Sequence, residues 1–158
     1  MTPRRTLAAL TVFIASLGLS AGFAQAQPAD KATAEALEGY FDFVDASAGT
    51  ILAEQIPAAD YPKFHILDVR DAAQFAKEHI PGATHIEWRQ VFAQRAKLPR
   101  DKTILVYCNT SSFAAQVAMA LRLDGFENVR LLYGGFNGWR AAGGMEANAR
   151  ATASRSGG

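Results

Sequence analysis

The chain has 158 residues, 49% hydrophobic and 20% charged, with a formal net charge of +1. That length suits one compact domain with its own core rather than two. The balanced charge argues against a nucleic-acid surface or a polyacidic partner, and a single cysteine excludes an internal disulfide or a thiolate metal cluster.

Residues 1–26 read as an export signal. Arg4 and Arg5 give a positive start, Leu7 to Leu19 is uncharged and apolar, and Ala24-Gln25-Ala26 fits the small-x-small cleavage rule. The apolar run is short for a span, which needs about 20 residues. Arg4-Arg5-Thr6-Leu7 faintly resembles a twin-arginine start, without choosing between export routes. The expectation is a periplasmic or secreted protein, free of the membrane after cleavage. An unpaired thiol in such an oxidising space either pairs between molecules or is a reactive group.

Gln27 to Thr33 reads as a flexible leader, with the domain expected over 34–146. Leu37, Tyr40, Phe41 and Val44 recur at the spacing of one helix face, and Gly49 is a plausible stop. Thr50 to Ile56 supplies a short edge strand and a helical turn, and Pro57 to Pro62 a loop. Phe64 to Val69 is apolar enough for a strand buried on both faces. Asp71 caps a helix over Ala72 to Glu78, and His79-Ile80-Pro81-Gly82-Ala83 breaks it before an extended Thr84 to Ile86. Trp88 to Ala96 is helical in pattern.

Thr103 to Tyr107 is a buried strand that stops at Cys108, and an alanine-rich helix runs from Ser112 to Leu123. In such a strand-loop-helix turn the free amides at the helix start favour negative charge, and thiolate is the reactive form of cysteine. The alternative at this point is an inert cysteine packed as a small hydrophobe. Val129 to Leu132 gives a fifth strand, Tyr133-Gly134-Gly135 a glycine-dependent bend, and a short helix follows through Trp139. Residues 147–158 lack periodicity and read as a disordered tail. His65, His79 and His85 show no zinc-ligand spacing with Cys108, so neither metal nor cofactor is implied. Alternating strands and helices predict an α/β domain with a small, mainly parallel five-stranded sheet, ligands binding beyond the strands' carboxyl ends.

Three ordered segments together resemble the rhodanese family. They are Leu67-Asp68-Val69-Arg70 with Phe75, His79-Ile80-Pro81-Gly82-Ala83 and His85-Ile86; the unit around Cys108; and Tyr133-Gly134-Gly135-Phe136-Asn137-Gly138-Trp139. The layout is similar to single-domain periplasmic sulfurtransferases. The resemblance implies transfer of sulfane sulfur from thiosulfate or a persulfide donor to cyanide or a thiol, through a persulfide on Cys108. Amides of Asn109, Thr110, Ser111, Ser112 and Phe113 would cradle the outer sulfur, with the Thr110, Ser111 and Ser112 hydroxyls as optional donors. Arg70 and Arg89 are candidate contacts for an anionic donor, although Arg70, two residues after Asp68, reads better as a salt bridge holding strand ends. His79 and His85 read as ties of the turn, Trp139 as core, and Trp88 as packing or pocket mouth. Partners would be a small sulfur-containing anion, a thiol or persulfide, or an exported thiol protein, and a monomer is expected.

Two positions depart from the family pattern. Many members carry glycine three residues after the cysteine and arginine five after it, where this chain has Ser111 and Phe113. Serine tolerates a left-handed backbone poorly, and loss of the arginine removes a handle on a dianion. Thiosulfate is therefore expected to be a poorer donor than a thiol-borne persulfide. The same lack of arginine argues against a phosphatase or arsenate reductase of related fold. A non-enzymatic persulfide carrier, or an inactive interaction module, is the alternative.

Overall fold

A computed structural model of the chain describes residues 28–146 apart from 46 and 48. The expected export signal and the expected tail lie outside the described residues. Five strands, β1 (Thr50–Ile51), β2 (His65–Asp68), β3 (Thr84–His85), β4 (Ile104–Tyr107) and β5 (Val129–Leu132), form one sheet in the order β1-β5-β4-β2-β3. All four pairings are parallel. Helices α1 (Lys31–Phe43), α2 (Ala72–Lys77), α3 (Trp88–Val91), α4 (Ser112–Leu123) and α5 (Gly135–Ala141) flank it.

The period of two along β4 divides the core. Ile104, Val106 and Cys108 face one cluster with Val91, Ala114, Val117 and Leu121, whereas Leu105 and Tyr107 face another with Ile80, Phe136 and Trp139. Cys108 continues the first series one residue beyond the strand, so its side chain is on the α3–α4 side. From β2 the chain goes outward to β3, and from β4 it goes the opposite way to β5. The two loops therefore diverge above the β2–β4 pair, leaving a crevice at the carboxyl ends of both strands.

The N-terminal helix differs from its sequence reading in three ways. It begins at Lys31, because the Asp30 carboxylate accepts the Thr33 amide at 2.8 Å and caps it, so the leader is shorter than expected. It ends at Phe43 rather than near Gly49, the Val44 amide closing its last turn on the Tyr40 carbonyl. Phe41 is 66% exposed, so Leu37, Tyr40 and Val44 alone are half-buried on the expected face. The helical pattern after Trp88 also breaks early: α3 closes at Val91, and a 3₁₀ turn over Arg95–Lys97 follows.

Candidate active site

A cavity of about 540 Å³ fills the crevice. Val69, Arg70 and Asp71 from the end of β2, Gln74 from α2, Glu87, Trp88 and Arg89 around α3, and Cys108, Asn109, Thr110, Ser112 and Phe113 line it. Cys108 is 2% exposed and so belongs to the innermost part of that lining.

The loop's carbonyls and amides are used differently. The Cys108 carbonyl accepts the Phe136 amide at 2.7 Å, and the Asn109 carbonyl accepts the Asn137 amide at 3.1 Å. Both donors belong to the first turn of α5, so the start of one helix holds the loop from behind. Close approach requires glycine at 135: a Cβ there would lie 2.8 Å from the carbonyl carbon and oxygen of Asn109 and would collide with the Cys108 oxygen. Among the described residues, the amides of Asn109 through Ala114 donate to no protein acceptor, and the next amide, Ala115, closes the first turn of α4 on Ser111. The run leaves six consecutive backbone donors beside the cysteine, an arrangement that favours negative charge.

Ser111 turns the loop into α4 at φ 94°, the one non-glycine residue with positive φ among the described residues. Its hydroxyl donates to the Leu132 carbonyl at 3.2 Å, and it does not line the cavity. The expected hydroxyl donor at Ser111 is thus corrected: the side chain ties the loop to β5. Thr110 and Ser112 do line the cavity, with their hydroxyls 3.5 Å apart.

Arg70 has its guanidinium folded back. It pairs with the buried Asp68 carboxylate (Nη2 to Oδ2 2.5 Å), donates to the Glu78 carbonyl at 2.7 Å, and lies 4.2 Å from the Phe136 ring centroid. Burial works against its charge, but the Asp68 bonds and charge outweigh it and raise its pKa. With the side chain 4% exposed, Arg70 is a strut joining β2, the end of α2 and α5, and not a free anion contact. Arg89 is the opposite case. Its side chain is 71% exposed, pairs with Glu87 at 2.8 Å, and rests over the Trp88 ring at the cavity rim.

His79 Nδ1 is 2.8 Å from the Phe75 carbonyl and His85 Nε2 is 2.8 Å from the Arg70 carbonyl, with the Phe75 ring stacked on both imidazoles. Trp139 is buried in the core. Trp88 reaches the mouth: its amide is held by the Val69 carbonyl, and its ring stacks on Phe113 at 4.8 Å and 7°.

One wall was missed in the sequence. Asn109 Nδ2 donates to Gln74 Oε1 at 2.7 Å, and the Gln74 side-chain amide donates in turn to Asp71. The signal was present as Asp71-x-x-Gln74, a capping-box spacing that fixes the glutamine over the helix start.

A sequence model of the rhodanese-like domain family matches residues 51–142. The chain belongs to the rhodanese-like domain family. It is 37% identical over 76 residues to the thiosulfate sulfurtransferase GlpE of Coxiella burnetii, covering 48% of this chain and 71% of that protein. A rhodanese-like domain from Anabaena sp. superposes with a TM-score of 0.54 at 30% identity, over 61% of this chain and 76% of the other. A rhodanese-related protein from Thermoplasma volcanium shares the fold at a TM-score of 0.56 and 23% identity, over 60% of this chain and 92% of that one. In this rhodanese-like domain Ser111, at φ 94°, and Phe113 stand three and five residues after the cysteine.

Proposed function

We propose that this rhodanese-like domain moves sulfane sulfur through a persulfide on Cys108. The observation that carries the reading is the run of six unpaired amides, Asn109 to Ala114, around the one thiol of the chain, with that thiol in the wall of a cavity. The Cys108 thiolate attacks the outer sulfur of the donor. With thiosulfate the S–S bond breaks, sulfite leaves with the electron pair, and the enzyme keeps an anionic Cys–S–S⁻. The run of amides holds that charge by preformed donors, which need no reorganisation during the reaction. An acceptor nucleophile then attacks the outer sulfur. Cyanide gives thiocyanate, a thiolate gives a new persulfide, and the Cys108 thiolate returns.

Likeness to a named thiosulfate sulfurtransferase supports the reaction class. The mouth supports a different preferred donor. Phe113 and Trp88 present an apolar stack where an arginine would hold a dianion, so a thiol-borne persulfide is the better substrate. The apolar, arginine-started segment at 1–26 supports export and an exported thiol as the acceptor.

The deep position of Cys108 favours a second reading, a persulfide carrier that holds one sulfur atom without catalytic turnover. Incubating the protein and its Cys108→Ser variant with thiosulfate and cyanide separates the two. Repeated, cysteine-dependent thiocyanate formation is expected. One sulfur atom retained on Cys108 without turnover identifies a carrier, and no adduct with any donor leaves an interaction module.

A further inference from the structure

A second cavity, of about 310 Å³, also has Trp88 in its lining. It lies between α3 and α4, against Val91, Phe92, Val117, Ala120 and Leu121, and it shares Trp88 and Arg89 with the Cys108 cavity. Apart from Arg89 and Gln116, every residue lining it is apolar or aromatic, and both polar residues have partners of their own: Arg89 pairs with Glu87, and Gln116 donates to the Ser112 carbonyl at 3.4 Å. Nothing in this cleft addresses a charge, yet it adjoins a site built for an anion.

We infer that the α3–α4 cleft is a specificity subsite that takes the apolar arm of a low-molecular-mass thiol or persulfide while its sulfur reaches Cys108. The inference rests on the sulfur-transfer reading and names its substrate class. Three observations converge on that occupant. The two cavities share Trp88 and Arg89, so they are neighbours on the same face of α3 and α4. The size fits: a dry cavity of about 150 Å³ holds a benzene ring, so twice that takes an arm of about six to eight carbons. The Trp88–Phe113 stack beside both cavities gives the chain an aromatic surface to cross. Burying each methylene of the arm contributes roughly fourfold in affinity. Trp88 is thus a positioning residue, and Ala120, half-buried in the cleft wall and outside the Cys108 cavity, sets the depth available.

The test compares two neutral acceptor thiols, 2-mercaptoethanol and 8-mercaptooctan-1-ol, on persulfide-loaded protein. The longer thiol is expected to give at least a tenfold higher kcat/KM. In Ala120→Leu, which fills the cleft, that advantage should fall to within twofold while turnover with cyanide stays unchanged. Equal kcat/KM for the two thiols in the wild type, or an undiminished preference in folded Ala120→Leu, overturns the subsite. A binding measurement needs no sulfur transfer. Octan-1-ol added to Cys108→Ser should shift the Trp88 indole N–H resonance saturably, and Ala120→Leu in that background should abolish the shift. Absence of thiocyanate formation with a saturable shift would sink the sulfurtransferase reading and leave an alkyl-binding cleft. Thiocyanate formation without the shift would sink the cleft alone.

Discussion

The Phe136 amide donates to the Cys108 carbonyl at 2.7 Å, so α5 grips the backbone of the reactive residue itself. Gly135, at φ +58°, makes that approach feasible. Gly135→Ala adds a left-handed non-glycine residue, about 1–2 kcal/mol, and a collision with two backbone carbonyls that overpacking studies place at about 1–3 kcal/mol. A loss of about 2–5 kcal/mol is expected in urea unfolding. Gly82→Ala is the control: φ is +80°, but a Cβ there meets nothing within 4 Å, so only the backbone cost of about 1–2 kcal/mol applies. Equal losses in the two variants would show that the α5 contact does not hold the loop.

Ser111 combines opposing effects in one residue. Its φ of 94° costs about 1–2 kcal/mol, and its hydroxyl bond to Leu132 returns about 0.5–1.5 kcal/mol. Ser111→Ala keeps the strain and loses the bond, so it should unfold more easily than wild type by about 1 kcal/mol. Ser111→Gly loses the bond but relieves the strain, and should lie above Ser111→Ala by about 1 kcal/mol. The order is read from urea midpoints at equal slope. Alanine matching or exceeding glycine would mean that the left-handed turn is absent in solution.

Arg70 and Asp68 form a buried pair, and breaking one side leaves the other charge uncompensated. Arg70→Ala should cost about 3–5 kcal/mol of stability. Arg70→Lys keeps the charge but cannot reproduce the two-toothed contact with Asp68, the Glu78 bond and the stacking on Phe136 together. Thermal unfolding alongside sulfur-transfer kinetics checks the assignment. A strut lowers the melting temperature, whereas a substrate contact would leave it unchanged and raise KM for thiosulfate.

How much of this was legible in the sequence depends on the range of the interaction. The β4–Cys108–α4 unit was, because a β-branched run, a lone thiol and an alanine-rich helix are each local signals. Gly134-Gly135 announced a bend, but what it bends against, the carbonyls of Cys108 and Asn109, is a contact across more than twenty-five residues. The strain expected at Ser111 is present; the side chain's tie to Leu132 crosses to another strand and left no trace in the local pattern. Phe41 misled because spacing gives the face of a helix without the width of the surface it meets. Trp88 looked like packing since its ring does pack, on Phe113, and only the tertiary fold puts that pair in the same cavity lining as the thiol.

His65 gives the domain a pH dependence of known sign. It is half-buried at the start of β2, with Nε2 3.2 Å from Thr84 Oγ1. Desolvation and then the Lys102 charge lower its pKa below that of an ordinary imidazole. The folded protein therefore binds this proton less readily than the unfolded chain. Its contribution to stability is whole above the unfolded value of about 6.5 and is lost as pH falls through the lower, folded value. The urea midpoint should drop between about pH 7.5 and about pH 5.5, and His65→Gln should drop less. Parallel profiles for the two proteins would remove His65 from the pH response.

Phe113→Arg places a positive charge in the lining of the Cys108 cavity. The side chain starts from the first turn of α4, lines the Cys108 cavity and is 45% exposed, so an arginine has room to extend over the loop. A charge-assisted hydrogen bond contributes about 1.5–3 kcal/mol. That predicts a rise in kcat/KM for thiosulfate of about tenfold or more. The same change removes the ring stacked on Trp88, so turnover with glutathione persulfide should stay level or fall. Steady-state assays with both donors, in wild type and variant, decide the matter. If thiosulfate turnover does not rise, the backbone amides already supply all the anion binding the site can use, and the aromatic mouth is not what sets donor choice.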